Sequence, residues 1–125
     1  MDIHHIGYVV KNIDKNLKNF PHLKTKKILI DNKQNAKIGI FKNLKNKVLI
    51  ELIQPLNKKS YTWNFLQNGG GIHHICYNGI SMSNIQLIVK KNKLFHILGP
   101  IDALLFKKKV IFYMTKDKQI IEYIL

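Results

Sequence analysis

Apolar and polar positions alternate at the start of the chain. Ile3, His5, Gly7 and Val9 fall on one side of an extended segment and His4, Ile6, Tyr8 and Val10 on the other, which predicts a strand over 3–10. The period then lengthens. Ile13, Leu17 and Phe20 recur at helical spacing behind Asn12, a good N-cap, and Pro21 closes the segment. Strands are predicted next at 25–31, 36–42 and 47–54, the last two joined by Lys42-Asn43-Leu44-Lys45-Asn46. Gln54-Pro55-Leu56-Asn57 leaves the sheet, because proline cannot continue a central ladder. Ser60 is expected to cap a short helix with Trp63 and Leu66 inward, and Asn68-Gly69-Gly70-Gly71 to act as a hinge. From Ile72 the pattern starts again: a strand to Tyr77, a helix over 82–90 with Ile85, Ile88 and Val89 on one side, then strands at 93–98, 107–115 and 118–125. Lys116-Asp117 suits a tight hairpin between the last two. Both halves read β-α-β-β-β, an α+β class.

The halves also share letters. Ile3-His4-His5-Ile6-Gly7-Tyr8 returns as Ile72-His73-His74-Ile75-Cys76-Tyr77. Glu51, in Leu49-Ile50-Glu51-Leu52-Ile53, follows His5 by 46 residues, and Glu122, in Gln119-Ile120-Ile121-Glu122-Tyr123, follows His74 by 48. These are the only glutamates in the chain. A repeat of this kind sets the organisation: module one over 1–57, a linker over 58–71 and module two over 72–125.

With 46% hydrophobic residues, 125 residues can bury a real core, so disorder is not expected. No apolar run reaches membrane-spanning length and no signal-peptide pattern opens the chain. The single cysteine, Cys76, excludes an internal disulfide framework and fits a reducing, cytoplasmic setting. A net charge of +14 invites nucleic acid. Yet all 21 basic residues are lysine, they are scattered apart from Lys107-Lys108-Lys109, and no aromatic and basic cluster or recognition motif accompanies them. With abundant Asn and Ile, this is what AT-rich coding writes into a solvated surface. Attraction of a small anionic substrate is the second reading of the charge, and no nucleic-acid partner is expected.

Adjacent histidines on a strand point to opposite faces, so each pair offers one imidazole to an interior. His5 and His74 are the choice, because Gly7 and Cys76 on their face leave room before the ring. Glu51 shares its face with Leu49 and Ile53, and Glu122 with Ile120 and Ile124, where a bare charge is costly. With no arginine and no matched inner lysine, a divalent cation is the economical partner. Two imidazoles and two carboxylates suit Zn, Co, Ni, Mn or Fe better than Ca. Protonated carboxyls, or glutamates facing outward through a one-residue slip, are the alternatives.

The repeated module, the opening His-Ile-Gly-Tyr-Val-Val, Ile-Glu-Leu-Ile-Gln-Pro-Leu, Gly-Gly-Gly-Ile-His-His-Ile-Cys and the terminal Ile-Ile-Glu together resemble the vicinal oxygen chelate superfamily, in its glyoxalase-like branch nearest methylmalonyl-CoA epimerase. The resemblance spans essentially the whole chain. It implies a single domain over 1–125 whose two modules curl into an open, cupped mixed sheet, with a divalent metal held by His5, Glu51, His74 and Glu122. It also implies that the metal holds adjacent substrate oxygens and stabilises an enolate while a carboxylate moves the neighbouring proton, Glu122 and Glu51 being the catalytic carboxylates. The family has Gln or Glu at the position of Glu51. A small anionic or acyl-thioester substrate, a homodimer, and isomerase, epimerase or lyase activity follow from the same likeness.

Three features depart from it. Lys37 to Phe41 contains no Asp or Glu where the epimerase has a further acid/base carboxylate, Ile97 to Phe106 lacks the usual Gly-rich loop, and the absence of arginine removes the usual clamp for a carboxylate or glutathione. Glyoxalase I proper is therefore disfavoured, as is an extradiol dioxygenase, which needs a longer chain and further catalytic histidines. A metal-free binding or sequestering protein of the same fold is the alternative function, opposed by the complete His/Glu set.

Overall fold

The alternation seen at the N-terminus becomes a strand with one buried side: in β1 (Asp2–Val9), His5, Gly7 and Val9 are buried while His4, Ile6 and Tyr8 are half-buried. The computed structural model describes residues 1–43 and 45–125. Leu44, in the connection between the third and fourth strands, lies outside the described residues. The further elements are α1 (Ile13–Leu17), β2 (Leu23–Asp31), β3 (Ala36–Asn43), β4 (Leu49–Pro55), α2 (Trp63–Gln67), β5 (Gly71–Asn78), α3 (Met82–Asn92), β6 (Phe95–Ala103), β7 (Lys108–Met114) and β8 (Ile120–Ile124). Contacts divide the chain into two compact units, His5–His73, and Met1–His4 together with His74–Leu125. No helix among the described residues is long and apolar enough to cross a membrane.

In the first unit the strand order is β2-β3-β4-β1. The β4/β1 pair is parallel and the others antiparallel. A parallel neighbour requires a crossover, and the chain from α1 through β2 and β3 supplies it. One side of this sheet packs on α1 through Val10, Ile13, Phe41 and Leu52, with Tyr8, Leu17, Leu23 and Ile50 around them. The helix is fixed at its start, where the Asn12 Oδ1 accepts from the Lys15 N–H at 2.9 Å and the Gln54 Oε1 accepts from the Ile13 N–H at 2.9 Å. Gly70 closes the unit. Its φ is +66° and a Cβ there would lie 2.8 Å from the carbonyl oxygen of Val9, so glycine here permits a close backbone approach.

The second unit repeats the plan as β5-β8-β7-β6, with β5/β8 parallel and the rest antiparallel. Helix α3 covers one side through Ile85, Ile111, Tyr113 and Tyr123, joined by Tyr77, Ile80, Val89 and Leu94. Cys76, Val110 and Ile124 form a second cluster with Ile101, Ala103 and Phe112. The βαβββ reading and the α+β class are those observed.

Details of the elements differ from expectation for local reasons. Helix α1 stops at Leu17, three residues early, and continues as turns in which Asn19 and Phe20 donate to the carbonyls of Asn16 and Leu17. The residue before Pro21 is biased away from helix. The cap of α2 is Thr62, not Ser60. Ser60 instead accepts from the Trp63 N–H through its carbonyl, while its hydroxyl lies 3.3 Å from that of Thr62. Strand β6 continues past Leu98 through Gly99 and Pro100 to Ala103. It lies at the end of its unit's strand order with an irregular register between Leu98 and Ile101, where a proline is tolerated.

Candidate active site

Each unit carries one buried histidine and glutamate pair, built the same way. In the first, parallel pairing sets Gly7 opposite Glu51 and His5 opposite Leu49. The imidazole therefore lies one row from the carboxylate on the same face, with His5 Nε2 at 3.6 Å from Glu51 Oε2. In the second, Cys76 is opposite Glu122 and His74 opposite Ile120, and His74 Nε2 lies 3.0 Å from Glu122 Oε2. Sequence repetition has become repetition of register. Exposure is 0% for His5, 7% for Glu51, 3% for His74 and 3% for Glu122, so each of the four polar groups is withdrawn from solvent, and their mutual pairing offsets part of the desolvation cost.

The neighbours of the two carboxylates differ. Glu51 lies between Gly7 and Ile40, and Glu122 between Cys76 and Phe112. The Phe112 ring meets His74 edge to face, 5.7 Å between centroids. The other histidine of each doublet does a different job: His4 packs edge to face on Phe106 and His73 on Phe65, each at 4.8 Å and half-buried. The buried member of each pair is thus the one that shares its strand face with Gly7 or Cys76.

Within each unit an imidazole nitrogen and a carboxylate oxygen point at the same small region, a mixed N/O donor set that suits a divalent ion of the Zn, Co, Ni, Mn or Fe kind. Other carboxylates are engaged or peripheral. Asp14 faces Lys37 at 3.9 Å, Asp102 faces Lys109 at 3.3 Å, and Asp31 is buried with its oxygens accepting from the Lys33 and Gln34 N–H groups and the Gln34 amide. Asp2 and Asp117 are exposed. Strand β3 carries no acid at all.

Lys24, Lys27 and Lys42 share the face of His5 and Glu51, a grouping that the letters alone do not show. Lys24 pairs with Lys42, and Lys27 with Ile40, which in turn pairs with Glu51. A break in register between Thr25 and Lys27 produces this arrangement. Unbroken alternation would have put Lys24 and Lys26 together with Lys27 opposite, and nothing in the letters marks the break.

Residues 4–91 match the family model described as the Glyoxalase/Bleomycin resistance protein/Dioxygenase superfamily. Among solved structures, the chain is similar to a hypothetical protein from Bacillus halodurans C-125, with 26% identity over 98% of this chain and 92% of that one and a TM-score of 0.85. It is also similar to methylmalonyl-CoA epimerase from Mycobacterium tuberculosis (17% identity, 98% and 85% covered, TM-score 0.82). The epimerase from Streptomyces coelicolor in its S115T form, in complex with 2-nitronate-propionyl-CoA, gives 16% identity, 99% and 93% covered and a TM-score of 0.83. At these identities the two epimerases show a shared fold. A comparison with curated proteins finds no match.

Proposed function

Because the chain belongs to the glyoxalase/bleomycin resistance protein/dioxygenase superfamily, we propose that it is a divalent-metal-dependent enzyme that moves a proton next to a carbonyl or thioester. The observation that carries this reading is the doubled, buried His and Glu pair at one register in both units. His5, Glu51, His74 and Glu122 are the proposed ligands of one ion. When bound, such an ion supplies Lewis-acid polarisation of a carbonyl oxygen, which acidifies the adjacent C–H. Glu122 is the proposed base: it is held by His74 beside the apolar Cys76 and Phe112, which restrict water around the carboxylate. Glu51 orients and holds, at a position where the family resemblance admits an amide.

Solved epimerases of this fold carry methylmalonyl-CoA or 2-nitronate-propionyl-CoA, and an acyl thioester is the proposed substrate class here too. Inversion through a planar intermediate needs proton delivery on both faces, and β3 offers no second carboxylate. The expected outcome with methylmalonyl-CoA in deuterated water is therefore exchange of the α-proton with slow inversion, read by mass and chiral analysis. Rapid, complete epimerisation would show that a second proton donor operates. Absence of any exchange by the metal-loaded protein would count against the activity as a whole.

A further inference from the structure

The face of the first unit that bears His5 and Glu51 ends in lysines. Reading across β1, β4, β3 and β2, one row runs His5, Leu49, Lys42, Lys24, and the next runs Gly7, Glu51, Ile40, Lys27. Directly paired residues project to the same side of a sheet, so the three ammonium groups flank the His and Glu pair at the β2 edge. All three lysines are exposed. Among the described residues no carboxylate lies within ion-pair distance of any of them. Setting Lys24 directly opposite Lys42 costs stability through like-charge repulsion, and the bulge that takes Lys26 out of register adds Lys27 to the same side.

The second unit supplies the control. The same rows, read from His74 and from Cys76, are Ile120, Met114, Phe95 and Glu122, Phe112, Leu98. Positions that are lysine in one unit are apolar in the other. A general abundance of lysine has no reason to follow that division.

We propose that Lys24, Lys27 and Lys42 form an anion-recognition edge for a phosphate or carboxylate group of the substrate; this rests on the reading of the His5 and Glu51 face as the substrate side. Strands lie about 4.8 Å apart, and two steps separate His5 from Lys42 and Glu51 from Lys27, so the Lys42 and Lys27 backbones lie about 10 Å from those of His5 and Glu51. The anionic group therefore belongs to the far end of an extended substrate, not to the carbonyl being activated. Flexible ammonium groups act there as point charges, which suits phosphate without the fixed fork an arginine would supply.

The test is binding of pyrophosphate and of glutarate at low ionic strength, followed by amide shifts in NMR and by calorimetry. Saturable binding of one or both probes is expected, with shifts concentrated at the β2 and β3 edge; pyrophosphate alone assigns phosphate and glutarate alone assigns carboxylate. The triple variant K24Q/K27Q/K42Q should weaken binding about tenfold or more, and the single variant K42Q by a smaller factor in the same direction. The triple K90Q/K91Q/K93Q at the C-terminal end of α3, which removes the same charge, should change it less than about twofold. Equal losses in both triples would reduce the effect to net charge and overturn the proposal, as would the absence of saturable binding by either probe. Thermal unfolding checks that each variant is folded. No metal or turnover enters this measurement, so its failure is separable from failure of the proposed activity.

Discussion

Glu122 and Glu51 carry the same group at matched positions, but their surroundings differ, and the proposed function gives them different roles. Glu122 Oε2 is 3.0 Å from His74 and faces Phe112 across the ladder, whereas Glu51 Oε2 is 3.6 Å from His5 and faces Ile40. If Glu122 moves the proton, Glu122→Gln removes the only acceptor in use and should slow α-proton exchange by about a hundredfold or more, the usual scale for a positioned base. Glu51→Gln keeps a ligand oxygen and should retain bound metal and most of the exchange. Equal losses in the two variants would contradict this division of labour.

At the scale of elements, β8 shows how one strand serves both sides of a unit: Glu122 points toward His74, and Tyr123 points into the cluster beneath α3. Burial, and then the neighbouring Tyr77 and Tyr113, push the Tyr123 hydroxyl above its ordinary pKa of 10.0. The folded state thus holds this proton more tightly than the unfolded chain does. That contribution to stability is complete below about pH 10 and is lost as pH rises through the folded value. Thermal unfolding followed upward from about pH 9 should show a falling midpoint above about pH 10, with a shallower fall in Tyr123→Phe; an unchanged slope in that variant would remove the assignment. Such strand-by-strand roles were largely legible, since period-two alternation placed β1, β5 and β8, and the small Gly7 and Cys76 singled out the buried histidine of each doublet. What could not be read depends on pairing. The bulge at Lys26, the passage of β6 through Pro100 and the choice of Thr62 over Ser60 are settled by which neighbour each backbone group meets. Glu51 and Glu122 were legible because a carboxylate among Leu and Ile stands out; Lys24, Lys27 and Lys42 were not, among 21 basic residues of one kind.

Across the molecule, the two units share a βαβββ plan and the same His and Glu register, while the corresponding rows differ, cationic toward β2 and apolar toward β6. Each unit still leaves large apolar side chains at the surface, among them Ile72, Leu87 and Phe95, and by family analogy we propose a homodimer; sedimentation at micromolar concentration should give twice the chain mass, and a monomer would remove that claim. Whether both His and Glu pairs serve one ion is decided by metal analysis of protein purified without a histidine tag. About one divalent ion per chain is expected, retained in His4→Ala and His73→Ala and lost in His5→Ala and His74→Ala. A protein that takes up no divalent metal, or four variants that behave alike, would contradict the one-ion proposal and favour a metal-free binding role for this fold.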